Sequence, residues 1–249
     1  MTGTPDLGTL VITGASRGIG AATARLAASR GWRVVGSYLE RHEPAAAVVA
    51  EITAAGGQAI AVQADTSKEE DVIRLFDTAE RRFGPISGFV NNAGINGGPM
   101  ALADMSTSEL RSMIDTNIFG AFLGAREAVR RMATDRGGRG GTIVNLGSVA
   151  ARLGSPGERV HYAASKGAIV SMSHGLAKEV IRSGIRVNCV SPGLTETEMN
   201  PADRLAKLLP GVPIGRVGEP SEIAKVILFL LSDESSYMVG VDVTVSGGR

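Results

Sequence analysis

Short apolar runs alternate with longer stretches of helical periodicity along the whole chain. Residues 10–13 read as a buried strand, which passes through a glycine-rich turn into an Ala-rich helix over 20–30, ended by Gly31. Further strands are predicted over 33–38, 59–63, 86–91, 142–146, 186–191 and 241–245. Helices are predicted between them, over 44–55, 68–83, 106–131, 161–183 and 220–231. Seven strands this short and apolar, separated by helices, predict an α/β architecture: one doubly wound sheet, mainly or wholly parallel, with helices on both faces. The rhythm shows no domain boundary, so residues 1–249 read as a single domain. Only 194–219, rich in Pro, Gly and charge, breaks the pattern. It is too long for an ordinary connection and reads as a substrate lid, with Met199, Leu205, Leu208, Leu209 and Val212 as its apolar face.

Charge and cysteine usage narrow the function classes. The 26 Lys and Arg against 25 Asp and Glu leave a formal charge of +1, which argues against a protein that coats DNA or an acidic membrane. A single cysteine, Cys189, excludes an intramolecular disulfide and any multi-cysteine metal site. His42, His161 and His174 share no i,i+4 spacing, so no metal is expected. Cys189 reads as an inert small hydrophobe and His161 as a locally packed side chain. The N-terminus shows no basic region followed by an apolar stretch, and the longest purely apolar run, 226–231, is far short of the ~20 residues that span a bilayer. A cytoplasmic protein without nucleic-acid or membrane partners is the expectation. The Arg-Gly-Gly stretch at 135–141 reads as a polar turn. With 33 glycines, the chain must make many tight turns and close backbone approaches, as nucleotide-binding α/β folds do.

The first strand enters Thr13-Gly-Ala-Ser-Arg-Gly-Ile-Gly20 and leaves directly as a helix. Glycines at 14, 18 and 20 let a pyrophosphate approach the helix N-terminus, where free N–H groups and the helix dipole favour anions. Gly14, Ser16, Arg17, Gly18, Ile19 and Gly20 are therefore candidate cofactor contacts. The same residues match G-x-S-x-G, the nucleophile elbow of serine hydrolases, but only thirteen residues precede Gly14 to supply that fold's oxyanion loop. About twenty residues on, NAD-binding folds place an acid for the ribose diol. Tyr38 stands there instead. Arg17 and Ser37, with Arg41 as a weaker candidate, suit a 2′-phosphate; Glu40 would suit the diol. NADP(H) is favoured over NAD(H).

Tyr162 and Lys166, four residues apart on a helix, share one face, and a nearby ammonium favours the phenolate. Ser148 ends the fifth strand, where parallel sheets bind ligands. With these in order, the chain resembles the short-chain dehydrogenase/reductase family over essentially its whole length. The matching pieces are TGASRGIG at 13–20, Asp65, NNAG at 91–94, Asn117, Ser148, YAASK at 162–166 and Pro192-Gly193. The resemblance implies a Rossmann-type fold and hydride transfer between nicotinamide C4 and a carbonyl or secondary alcohol carbon. It implies that Tyr162 is the acid or base, that Lys166 lowers its pKa and holds the nicotinamide ribose, and that Ser148 binds the substrate oxygen. Asn117 would hold a water linking Lys166 to solvent. Asp65 would accept from the adenine amine, with Thr66 beside it. Asn91, Ala93 and Gly94 would shape the cofactor floor, and Pro192, Gly193, Thr195 and Thr197 the nicotinamide pocket. Thr66, Thr195 and Ser246 depart from the family's usual residues, but none touches the tetrad of Asn117, Ser148, Tyr162 and Lys166.

The resemblance extends to 3-oxoacyl-thioester reductases and to glucose or polyol dehydrogenases, and the sequence does not separate them. A cofactor-sensing protein without catalysis remains a further alternative. Arg130, Arg131 and Lys178 form either a docking surface for an acidic carrier protein or ordinary solvated helix faces. Residues 97–102 and 149–160 are expected to wall the substrate site. Arg152 and Arg159 could meet an anionic substrate, with surface exposure the safer reading. A homotetramer is implied, built on the small-residue face of 162–175 and on 106–131.

Overall fold

The computed structural model describes residues 7–249. Its seven strands are β1 (Thr9–Ile12), β2 (Arg33–Tyr38), β3 (Gln58–Gln63), β4 (Ile86–Asn91), β5 (Gly141–Leu146), β6 (Ile185–Pro192) and β7 (Asp242–Val245). They form one sheet in the order β3-β2-β1-β4-β5-β6-β7, with every pairing parallel. Parallel neighbours need crossover connections, and the helices supply them. These are α1 (Gly18–Ser29), α2 (His42–Ala54), α3 (Glu69–Phe83), α4 (Thr107–Ile114), α5 (Gly120–Met132), α6 (Ala150–Leu153), α7 (Val160–Val180), α8 (Ala202–Leu208) and α9 (Pro220–Leu231).

Alternation along the strands divides the core between the two faces of the sheet. Leu10, Ile12, Val34, Val90, Val144 and Val190 face α1 and α9, packing with Ala24, Ala27, Ile223 and Ile227. Val11, Val35, Phe89, Ile143 and Val187 face the other way, against Phe76 and Leu75 of α3, Leu123 and Met132 of α5, and Val180 of α7. Chain order reverses between β1 and β4, so a crevice opens there at the carboxyl ends of the strands. That crevice carries the site.

Three features depart from the elements expected. The helix predicted over 106–131 is interrupted by a turn of π-helix, Asp115–Phe119, between α4 and α5. Ser106 and Glu109 cap its start reciprocally. The second and third are two short helices where only loop was expected, α6 after β5 and α8 inside 194–219. The ends of 194–219 are tied together: Gly218 N–H donates to Leu194 O at 2.9 Å and Glu196 N–H to Gly218 O at 2.9 Å. The segment is thus a closed excursion from the sheet, anchored at its base. Among the described residues, no helix is long and apolar enough to cross a membrane.

Candidate active site

The glycine loop is shaped by contacts that admit no side chain. Gly14 and Gly18 have φ of +67° and +53°, a region glycine enters without strain. A Cβ on Gly20 would stand 2.2 Å from Gly14 O and 2.7 Å from Asn92 Nδ2. The loop is held from both sides. Ser37 Oγ accepts from Gly14 N–H at 3.1 Å, and Asn92 Nδ2 donates to Thr13 O and Gly14 O at 2.8 and 3.0 Å. No side chain caps the N-terminus of α1, so its first-turn N–H groups face the loop. This cradle fits a pyrophosphate.

Beside it lies a cleft of about 350 Å³. Gly14, Ser16, Arg17, Gly18 and Ile19 line it, as do Ser37, Tyr38, Leu39, Asp65 and Thr66, the last two at the place expected for adenine, and Ala93, Gly94 and Thr197. Gly20 sits behind the wall. Asn91 does not line the cleft: it ends β4 pointing inward, where its amide donates to Ala121 O and to Asn145 Oδ1. Strand alternation puts the next residue, Asn92, on the cleft instead, and the NNAG run was legible on that basis. Asn91 has a different task. Through Asn145, whose amide donates to Ser173 Oγ at 2.9 Å, it ties α7 to the middle of the sheet.

Arg17 does not lie free for a phosphate. Its Nη1 and that of Arg41 converge on Glu198 Oε2, at 2.8 and 2.9 Å. Glu198 belongs to 194–219 and was not expected at the site. No local signal marks it, because its partners lie more than 150 residues away in sequence. No carboxylate of 33–41 lines the cleft, and Glu40 is exposed outside it.

The four candidate catalytic residues converge at the other end. Ser148 and Tyr162 line two adjoining pockets, one of about 100 Å³ that continues the cleft and one of about 90 Å³ beyond it. Lys166, Pro192, Gly193, Thr195 and Thr197 line the first of these. Lys166 Nζ donates to Leu146 O at 2.7 Å and lies 5.8 Å from the centre of the Tyr162 ring. Burial pulls its pKa down to about 8. The expected lowering of the Tyr162 pKa by Lys166 is not what this geometry produces. Burial pushes the phenol up, against the Ser148 hydrogen bond and the charges of Arg159 and Arg204, which draw it down. Asn117 sits in the π turn with its side chain committed to Ile95 N–H, Ile95 O and Ser165 Oγ. A Cβ on Gly94 would stand 3.1 Å from Asn117 Oδ1 and 3.7 Å from Lys166 Nζ, so a glycine is what lets the loop pass these two groups.

A family model described as enoyl-(acyl carrier protein) reductase matches residues 14–249. A short-chain type dehydrogenase/reductase from Mycobacterium marinum superposes with a TM-score of 0.92 at 36% identity, covering 98% of this chain and 95% of that one. The chain belongs to the short-chain dehydrogenase/reductase family. Its relatives include the uncharacterized oxidoreductase YgfF of Escherichia coli K12, 44% identical over 96% of this chain and 98% of that protein. The human 3-oxoacyl-[acyl-carrier-protein] reductase is 39% identical over 95% of each chain. The 3-ketoacyl-(acyl-carrier-protein) reductase of Brucella melitensis, solved with NADH, gives a TM-score of 0.91 at 32% identity over 98% of both chains. This short-chain dehydrogenase/reductase is an oxidoreductase acting on CH–OH or C=O groups with a nicotinamide cofactor.

Within this family member, the 90 Å³ pocket departs from expectation in two respects. Arg159 is buried in it, not exposed, while Arg152 lies exposed outside it. The 149–160 wall is present. The 97–102 wall is not on the pocket: Asn96 lines it, and Met100 N–H bonds to Glu158 O from behind. Arg130 and Arg131 pair with Glu127, and Arg131 also with Asp77 and Glu80, while Lys178 makes no ion pair among the described residues. Ser16 makes no hydrogen bond to a histidine among the described residues, and no histidine lines the cleft, which leaves the hydrolase motif without a base. Burial raises the Cys189 thiol to about 12, keeping it un-ionised. No cluster of His, Cys, Asp or Glu able to hold a metal occurs among the described residues.

Proposed function

We propose that the protein reduces a carbonyl compound with NADPH, with Tyr162 as the proton donor. The observation that carries this reading is the position of Tyr162 beside Ser148. Tyr162 lines, with Ser148, the junction where the cofactor cleft meets the substrate pocket, and burial pushes its pKa up against the pull of Ser148. NADPH supplies a hydride when bound. Ser148 donates a hydrogen bond to the carbonyl oxygen as negative charge builds there, and Tyr162 completes the step by giving that oxygen its proton. Lys166, with a pKa near the working range, can hold or return a proton behind Tyr162, and Asn117 keeps the Gly94–Ile95 backbone against this relay. Thr197 lies against Gly18, so closure of the 194–219 lid bears directly on the phosphate cradle.

The 2′-phosphate preference is supported by the cleft wall at the end of β2, where Ser37, Tyr38 and Leu39 replace an acid, and by the two guanidiniums gathered at its mouth. Ser37 contributes from within, since its oxygen is held by Gly14 N–H. The names of the 3-oxoacyl reductases among the relatives support a 3-oxo compound as substrate; a polyol or glucose dehydrogenase is the second reading. Exposed Phe119 and Phe122, and the open space over Gly167 and Gly175, support a homotetramer. A solution mass of one 25.7 kDa chain would overturn that assembly.

The function is tested by NADPH consumption with acetoacetyl thioesters and small ketones, and by NADP⁺ reduction with glucose and polyols. Tyr162→Phe is expected to lower kcat by about 10²–10⁴-fold while NADPH binds as before. Undiminished turnover in the variant would remove Tyr162 from the reaction.

A further inference from the structure

The pocket beyond Tyr162 contains a buried arginine that makes no ion pair among the described residues. Arg159 stands three residues before Tyr162 at the start of α7, and both residues line this pocket with Ser148. Arg159 is 7% exposed, and its Nε has no hydrogen-bond partner. Its guanidinium makes no ion pair among the described residues. The neighbouring carboxylate, Glu158, is taken by Arg204 at 2.7 Å and Lys207 at 3.0 Å. Other partly buried arginines are provided for: Arg131 has three carboxylates, and Arg186 donates to the carbonyls of Leu230, Ser232 and Ser235.

Arginine keeps its proton, and a buried guanidinium without a partner is costly. A second guanidinium makes matters worse. Arg204, carried by α8, lines the same pocket with a buried Nε that also lacks a partner. Burial and the charge of Arg204 press against the charge on Arg159, with Glu158 and Tyr162 pulling the other way. An anion in the pocket would relieve both.

We propose that Arg159, with Arg204 beside it, binds a carboxylate on the substrate, so that this enzyme acts on a small oxo acid and its hydroxy-acid counterpart. The proposal rests on the reading of Tyr162 and Ser148 as the groups that meet the carbonyl oxygen. A planar guanidinium matches a carboxylate through two parallel N–H bonds, which would fix the distance from the acid group to the reacting carbon. The cavity, about 90 Å³, is well below the ~300–1,000 Å³ that takes drug-sized ligands, and it suits a chain of a few carbons. The cradle that fits the cofactor's phosphates lies elsewhere, at the glycine loop. In the reduction the carbonyl carbon gains the hydride given up by NADPH, its oxygen gains the proton of Tyr162, and the carboxylate is unchanged. Arg159 is in this sense a specificity residue.

The test is steady-state kinetics on 3-oxobutanoate, 4-oxopentanoate and 5-oxohexanoate, each beside its methyl ester, with NADPH and with NADH. At least one acid is expected to exceed its ester in kcat/KM by about tenfold or more, mainly through KM. Arg159→Met should collapse that ratio, and Arg159→Lys should restore part of it. Equal use of acid and ester by the unaltered enzyme overturns the carboxylate site and leaves the carbonyl reductase reading standing. If no carbonyl compound of either kind is reduced, the reductase reading fails instead, and binding decides the site. Butanoate, but not butanamide, is then expected to raise the unfolding midpoint of the unaltered protein and not that of Arg159→Met. Absence of that difference overturns the proposal.

Discussion

Two groups of arginines flank one active-site cleft and stand in opposite states. At the cofactor end Arg17 and Arg41 are more than half exposed and share Glu198. At the other end, beyond Tyr162, Arg159 is buried and makes no ion pair among the described residues. Exposed ion pairs are worth about 0–1 kcal/mol, so Glu198 is a weak occupant that a doubly charged phosphate can displace. A buried cation without a partner weakens the fold until a ligand arrives. On the proposed reading, selectivity at the first end would be a competition with the protein's own carboxylate. At the second end it is preorganisation.

The comparison is tested most severely by disabling one end alone. Gly20→Ala places a Cβ against backbone that cannot give way, and it should weaken NADPH binding by about tenfold or more. Fluorescence titration measures this, and unchanged affinity would mean that the loop does not hold the cofactor phosphates. A smaller effect comes from removing the competitor. Glu198→Gln should tighten NADPH by up to about fivefold at low salt, leave NADH unaffected, and lose its effect as salt screens the exposed charges. An equal gain for NADH would detach Glu198 from the 2′-phosphate. The least effect is on stability. Arg159→Met should raise the unfolding midpoint by about 2–4 °C, whereas Arg17→Met should leave it nearly unchanged. Equal shifts would erase the distinction between the two ends.

Much of the site was legible because its logic is local. The loop glycines, the Tyr162–Lys166 spacing and the strand ends are set by a handful of consecutive residues. Asn91 and Asn92 show the limit: the motif names both, and only the pleat of β4 decides which faces the cleft. The π turn at Asp115–Phe119 escaped because one extra residue per turn leaves a 3.6-residue pattern nearly intact, while Asn117 is held there by Ile95 and Ser165. Arg159 was read as exposed because a charged residue in a Gly- and Pro-containing stretch is ordinarily at the surface.

From sequence alone followed the parallel α/β sheet, the glycine loop that opens it, and the four candidate catalytic residues. The sheet and the loop depend on periodicity and on spacing within a few residues, and the set of four on the resemblance to the family. The pairing of Arg17 and Arg41 with Glu198, the diversion of Asn91 into the core, and the isolation of Arg159 beside Arg204 came only with the tertiary structure. Those are questions of which charge meets which across distant parts of the chain, and packing decides them, because burial and partner choice are properties of the assembled surface rather than of any local run of residues.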